Sequence, residues 1–159
     1  MKVPGWDFYK TAFVVTDLRS AAERLSRIAD FDWLEVPGTP HDFRIGSEVR
    51  NLRVRALITR QRPRLHLLEE IPGTPWTANA SGAAHHVAYW VDNIGEEARK
   101  LTAAGFTIEC CDAADPSGPQ HWAYFVAPDG VRLELLDRQG AVDPEAAIDG
   151  LPLFDSGHR

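Results

Sequence analysis

A chain of 159 residues, 44% of them hydrophobic, is long enough to bury an ordinary globular core and short enough to be one domain or two interdependent halves. Its net charge of −6 leaves no basic footprint for nucleic acid or an anionic membrane surface, so neither is expected as a partner. No apolar run approaches the roughly 20 residues of a membrane span, and the opening MKVPGWDFYK lacks the hydrophobic segment of a signal peptide, which makes the cytoplasm the expected compartment.

Residues 11–15 form a short apolar run rich in β-formers, closed by Thr16 and Asp17. Leu18, Ala21, Ala22, Leu25 and Ile28 then recur at helical spacing, so a strand feeds an amphipathic helix. Residues 31–36 read as a second strand, ended by Pro37, Gly38 and Pro40. After a polar stretch, residues 52–59 and 64–69 read as a hairpin across a turn at 60–63. This first module, about residues 8–70, is βαβββ. Pro72, Gly73, Pro75 and the small-residue run 78–84 make a linker over 71–84. The order then repeats in a second module over 85–138. It has a strand at 86–91, a helix at 96–104 with Gly105 as its left-handed stop, a strand at 106–110, and a loop at 112–120. Strands at 122–126 and 131–137 follow, flanking the turn Pro128-Asp129-Gly130. In the tail, 139–159, Leu151, Leu153 and Phe154 are placed either to dock or to frame a pocket. Cys110 and Cys111 are sequence neighbours pointing to opposite faces of a strand, and read as structural thiols.

The second half restates the first. PRLHLLEE (63–70) lies against VRLELLDR (131–138), and KTAFVVTDL (10–18) against HVAYWVDNI (86–94). Arg64, Leu65, Leu67 and Leu68 recur as Arg132, Leu133, Leu135 and Leu136, while the position that changes character is His66 against Glu134. Imidazole and carboxylate at equivalent points of a repeated scaffold suit a metal-binding cup.

HHVAYWVDNI opening the second module and APDGVRLELLD closing it resemble the vicinal oxygen chelate superfamily of glyoxalases, bleomycin resistance proteins and extradiol dioxygenases. The pattern is nearest to glyoxalase-like and methylmalonyl-CoA epimerase-like members, and it covers about residues 8–138. The resemblance implies an α+β fold, a single domain over 1–159. Its tandem βαβββ modules would form a cup-shaped mixed sheet with helices outside and draw metal ligands from the first and last strand of each module. Carried over by position, the four sites are Lys10, His66, His86 and Glu134. The metal ligands are then His66, His86 and Glu134, a set suited to divalent Fe, Mn, Co, Ni or Zn. Lys10 departs from the family's usual His, Gln or Glu. It can act as a base beside a bound metal, or stay protonated and pair with Glu134.

Hairpin geometry nominates the neighbours. A turn at 60–63 sets Leu57 opposite His66 and puts Arg53 and Arg55 on its face; the same register sets Phe125 opposite Glu134, with Ala123 and His121 alongside. Arg53, Arg55 and His121 are therefore candidate substrate-binding groups, the arginines suiting a carboxylate or phosphate. Trp90, four residues from His86 on one strand, shares its face and joins them. His85, next to His86, faces away.

Three activities remain open. The first is a metal-dependent isomerase, epimerase or lyase that chelates an oxygen-rich or carbonyl substrate, with Glu134 or Lys10 moving the α-proton. The second is an Fe(II) ring-cleaving dioxygenase, and the third a metal-free small-molecule binding or resistance protein. In each the partner is a small molecule, and the resemblance implies a homodimer.

Overall fold

The structure is a computed structural model and describes residues 5–113, 118–139 and 144–155. Its elements in chain order are β1 (Trp6–Val15), α1 (Leu18–Ser26), β2 (Trp33–Val36), β3 (His41–Ile45), β4 (Glu48–Leu52), β5 (Ala56–Thr59) and β6 (Arg64–Glu69). They continue with β7 (His86–Val91), α2 (Ile94–Ala103), β8 (Thr107–Asp112), β9 (Trp122–Val126), β10 (Arg132–Asp137) and α3 (Pro144–Asp149). The described residues divide into two compact units. The first holds Lys10–Thr39, Arg53–His85 and 144–155; the second holds 5–9, Pro40–Leu52 and 86–139. The strand β1 starts in the second unit and continues into the first at Lys10.

In the first unit the strand order is β2-β5-β6-β1, with β1 and β6 parallel and the other neighbours antiparallel. Asp17 caps α1, its carboxylate accepting from the Ser20 amide at 2.8 Å, and this contact holds its pKa below the usual carboxylate value. The apolar stripe of α1, Leu18 and Ala22, packs on Trp33, Leu57 and Leu67, with Phe13, Val15 and Leu65 at the margin. Leu34, Ile58, Ala56, His66, Leu68, Ala12 and Lys10 alternate with these residues and so stand on the opposite face.

The second unit follows the same recipe. Its strand order is β7-β10-β9-β8-β3-β4, with β7 and β10 parallel. Asn93 caps α2 through Glu96, and Gly105 leaves the helix at φ +91°. Ile94 and Ala98 of α2 pack on Val91, Cys111, Ala123, Phe125 and Leu135. The α+β class and the twofold βαβββ order expected from the sequence are what the structure shows.

Three segments differ from the sequence reading. The polar stretch after Pro40 is a hairpin, β3–β4, turned at Gly46 (φ +58°) and paired through β3 to β8, with Phe43 opposite Asp112. Its alternation of His41, Phe43 and Ile45 with charged residues buries only Phe43 fully, so it carries little hydrophobic signal. The strand expected at 52–59 is divided: β4 ends at Leu52 and β5 begins at Ala56. Gly38 passes this break so closely that a Cβ there would lie 2.9 Å from the Val54 carbonyl oxygen. The tail docks onto the first unit's edge strand: Glu35 N–H donates to Pro152 O, Phe154 N–H donates to Trp33 O, and Leu153 bridges Leu34. Phe154 joins the α1 cluster beneath the Arg19 guanidinium. In the linker, Trp76 is buried to 2% exposure and forms an anchor that loop composition gave no reason to expect.

Cys110 and Cys111 are free and buried, and burial pushes both thiols above their ordinary pKa. The reactive thiolate is thereby suppressed. The folded protein at pH 8 is expected to show no fast reaction with a thiol-specific chromogenic disulfide, and both cysteines to react on unfolding; rapid native labelling would contradict their placement.

Candidate metal and ligand site

The second unit brings together one predicted pair. His86 Nε2 and Glu134 Oε2 lie 3.1 Å apart, and both residues are buried, at 2% and 6% exposure. The strands dictate the meeting. In the parallel β7–β10 register Ala88 faces Glu134, so His86, two residues back on the same face, reaches the carboxylate diagonally. The first unit repeats this register at the equivalent positions, Ala12 facing His66 and Lys10 facing Arg64. His66 and Lys10 are buried there, at 7% and 6%. Among the described residues, no group of three or more His, Cys, Asp and Glu side chains is arranged to hold a metal ion.

The hairpin registers correct the predicted neighbours. Tyr124, not Phe125, stands opposite Glu134, because the three-residue turn at Gly130 (φ +88°) pairs Ala127 with Val131 and centres the hairpin on Asp129. Phe125 and Ala123 consequently belong to the core under α2. His121 shares their parity, is exposed, and gives its amide to Asp112 Oδ2 at 3.2 Å. In the other hairpin Ile58, not Leu57, faces His66. The turn is a residue longer than expected, because the Leu65 amide bonds to the Thr59 hydroxyl and the Arg64 guanidinium folds back onto the carbonyls of Thr59 and Arg60. Arg53 and Arg55 therefore leave the predicted face: both are exposed, and Arg55 pairs with Glu69 at 3.0 Å. Each of these shifts is a one-residue slip, which sends a side chain to the other face of the sheet. Trp90 is half-buried on the His86 face, against the Tyr9 ring. His85 is tied into the linker, its ring nitrogen 2.7 Å from Pro75 O.

What sequence reasoning did not find is a continuous row of rings on that face. His41 meets Phe43 at 5.1 Å between centroids, Phe43 meets Trp122 at 5.7 Å, Trp122 meets Tyr124 at 5.3 Å, and Tyr124 meets His86 at 4.8 Å. Strand β10 supplies Glu134 between the last two rings, and β8 supplies Asp112 beneath Phe43. Asp112 is 2% exposed, and its Oδ1 has no hydrogen-bond partner among the described residues. The signal for this row was the β9 alternation WAYFV read in the correct register.

The sequence pattern of the "Glyoxalase/Bleomycin resistance protein/Dioxygenase superfamily" matches residues 9–125. The chain belongs to this superfamily. Members of the glyoxalase/bleomycin resistance/dioxygenase superfamily bind small-molecule substrates and typically a divalent metal. No curated protein matches the chain in sequence. Among solved structures, a hypothetical protein from Bacillus halodurans C-125 is 15% identical with a TM-score of 0.55, over 87% of this chain and 98% of its own. A methylmalonyl-CoA epimerase from Streptomyces coelicolor, in complex with 2-nitronate-propionyl-CoA, is 16% identical with a TM-score of 0.54, over the same shares. At these identities the likeness is one of fold. No helix among the described residues is long and apolar enough to cross a membrane.

The donor set of the second unit suits a superfamily metal. With metal–ligand bonds of about 2.0–2.2 Å, two atoms bound to one ion stand about 2.9 Å apart at a right angle and about 3.4 Å apart at the tetrahedral angle. The 3.1 Å between His86 Nε2 and Glu134 Oε2 falls in that interval, which is equally the range of a hydrogen-bonded His–Glu pair. An imidazole and a carboxylate suit Fe, Mn, Co, Ni and Zn alike.

Proposed function

We propose that the chain is a metal-dependent enzyme of the isomerase, epimerase or lyase kind, acting on a small substrate with a carbonyl or vicinal oxygens. The observation that carries the reading is the buried His86–Glu134 pair at ligand-to-ligand distance. His86 and Glu134 would hold the ion, and the sequence repeat nominates His66 as a further ligand. When bound, the metal supplies Lewis acidity at the substrate oxygens. The protein's own part is positional and proton-moving. Tyr124 packs against the His86 ring and, with the strand register, fixes its plane. Glu134 accepts the proton from the carbon next to the carbonyl through a carboxylate oxygen and returns it to the same or the neighbouring carbon.

The test is proton exchange. Metal-loaded protein in D₂O, offered a panel of α-hydroxy ketones and 2-methyl thioesters, is expected to place solvent deuterium at the α-carbon of one of them, with Glu134→Gln losing the exchange. Oxygen uptake with a catechol and no deuterium incorporation would move the assignment to the ring-cleaving dioxygenase.

The aromatic row favours a second reading, a metal-free protein that sequesters a flat ligand against Trp122 and Tyr124. Here tryptophan fluorescence should report aromatic-ligand binding that survives chelation of all metal and the His86→Ala substitution.

A further inference from the structure

One acid on the aromatic face leaves a carboxylate oxygen unused. Asp112 of β8 lies directly opposite Phe43 of β3, and one step along β8 from the Cys111–Ala123 pair it lies beside Trp122 of β9, so its side chain shares the face of both rings. It is 2% exposed. Its Oδ2 accepts from the His121 amide at 3.2 Å, while Oδ1 is buried with no hydrogen-bond partner among the described residues. The nearest guanidinium by register, Arg50, stands two strands away beyond Phe43 and is not a partner of Oδ1. A dry, unmatched carboxylate oxygen is a standing cost to the fold, and a donor brought there by a ligand removes it.

The surrounding rings select that donor. Phe43 and Trp122 stand at 66° with centroids 5.7 Å apart, and Trp122 and Tyr124 at 65° with centroids 5.3 Å apart, so successive rings make corners where a stack would make a wall. Ring faces carry negative potential and attract a cation where they would not attract a neutral hydroxyl. Oδ1 adds a demand for N–H: a quaternary ammonium satisfies the rings alone, whereas a protonated amine satisfies the rings and makes a charge-assisted bond to the carboxylate. Trp122 is half-buried and His41, at the end of the row, is exposed, so the corner can be reached from solvent. We infer that Asp112, Phe43, Trp122 and Tyr124 form a subsite for the protonated primary or secondary amine of a small-molecule ligand. Two strand spacings and one two-residue step put the Asp112 Cα about 12 Å from the Glu134 Cα. The amine is then the far end of a molecule whose oxygens reach His86 and Glu134; this placement rests on the proposed function, whereas amine binding itself requires no metal.

Isothermal titration of the metal-free full-length protein tests this with four probes: 2-phenylethylammonium, its trimethylated quaternary counterpart, 2-phenylethanol and phenylacetate. The amine is expected to bind most tightly, the quaternary cation less so, and the alcohol and the anion roughly tenfold or more below the amine. Asp112→Asn, which keeps an oxygen for the His121 amide, is expected to lower amine affinity by roughly tenfold or more and to leave the alcohol unchanged. Trp122→Leu is expected to weaken both cations alike. Absence of amine binding, equal affinity for amine and alcohol, or a quaternary cation bound more tightly than the amine would each overturn the subsite in the wild type alone, with no variant needing to fold; so would an Asp112→Asn variant that binds the amine like the wild type. Failure of the metal reading looks different. Amine bound in the expected order by a protein that takes up no metal and exchanges no deuterium would remove the proposed activity and support the subsite.

Discussion

Replacing Glu134 by alanine is expected to lower the affinity for a divalent ion by roughly a hundredfold or more, above the 10- to 100-fold typical of losing only an outer-shell partner. The reason is positional. Glu134 stands at 6% exposure with its Oε2 3.1 Å from His86 Nε2, so the strand already holds it where a ligand must be and no solvent-exposed carboxylate can swing in to replace it. His86→Ala should produce a loss of the same order, and the double variant little further loss, since residues serving one ion act as a unit. Isothermal titration with Zn²⁺ and Mn²⁺ measures each constant. His66→Ala, measured in the same way, decides whether the repeat nominated a further ligand correctly. Circular dichroism of each variant separates a lost ligand from a lost fold.

Phe125→Ala is expected to destabilise the protein by about 3–5 kcal/mol, which for a chain of this size lowers the melting temperature by roughly 6–20 °C. Phe125 is fully buried among Val91, Ile94, Ala98, Cys111, Ala123 and Leu135, so truncation loses the transfer energy of the ring and leaves a cavity that helix α2 cannot close without moving off its cap. Metal affinity should be unchanged at temperatures where the variant is folded, because Phe125 and Glu134 point to opposite faces. Had Phe125 stood opposite Glu134, the larger effect would have fallen on binding. The pair of measurements, differential scanning calorimetry and metal titration on one variant, therefore reports the register of the β9–β10 hairpin directly.

The repeat was legible because each half must bury an apolar strand pair under a helix: RLxLL recurs at 64–68 and 132–136 with one substitution that matters, and the parallel registers at His66 and Glu134 turn out to be equivalent. Helix starts at Asp17 and Asn93 were legible through local chemistry, the side-chain caps. The hairpin registers were not. A register depends on where a turn closes, and closure at 60–64 depends on the Thr59 hydroxyl and the Arg64 guanidinium, whose bonds leave no mark on periodicity. Arg53 and Arg55 were misplaced by that single residue, and His121 by the corresponding slip in the β9–β10 hairpin, which closes at Ala127 and Val131. Hairpin β3–β4 was hidden because three positions on the face of Phe43 are His41, Arg50 and Glu48, while the apolar Val49 falls on the other face. Trp76 was hidden for a different reason: the composition of a Pro- and Gly-rich linker carries no periodicity from which the burial of one tryptophan could be read.

The most direct test of the His86–Glu134 metal pair is elemental analysis. Wild type and the His86→Ala/Glu134→Ala variant would be dialysed anaerobically against Fe²⁺, Mn²⁺, Co²⁺, Ni²⁺ and Zn²⁺ in turn and then freed of loose ion. Stoichiometric metal in the wild type for at least one of these ions, with only background in the variant, is the expected result. Background metal in both proteins with every ion, or equal stoichiometric metal in both, would contradict the pair's role.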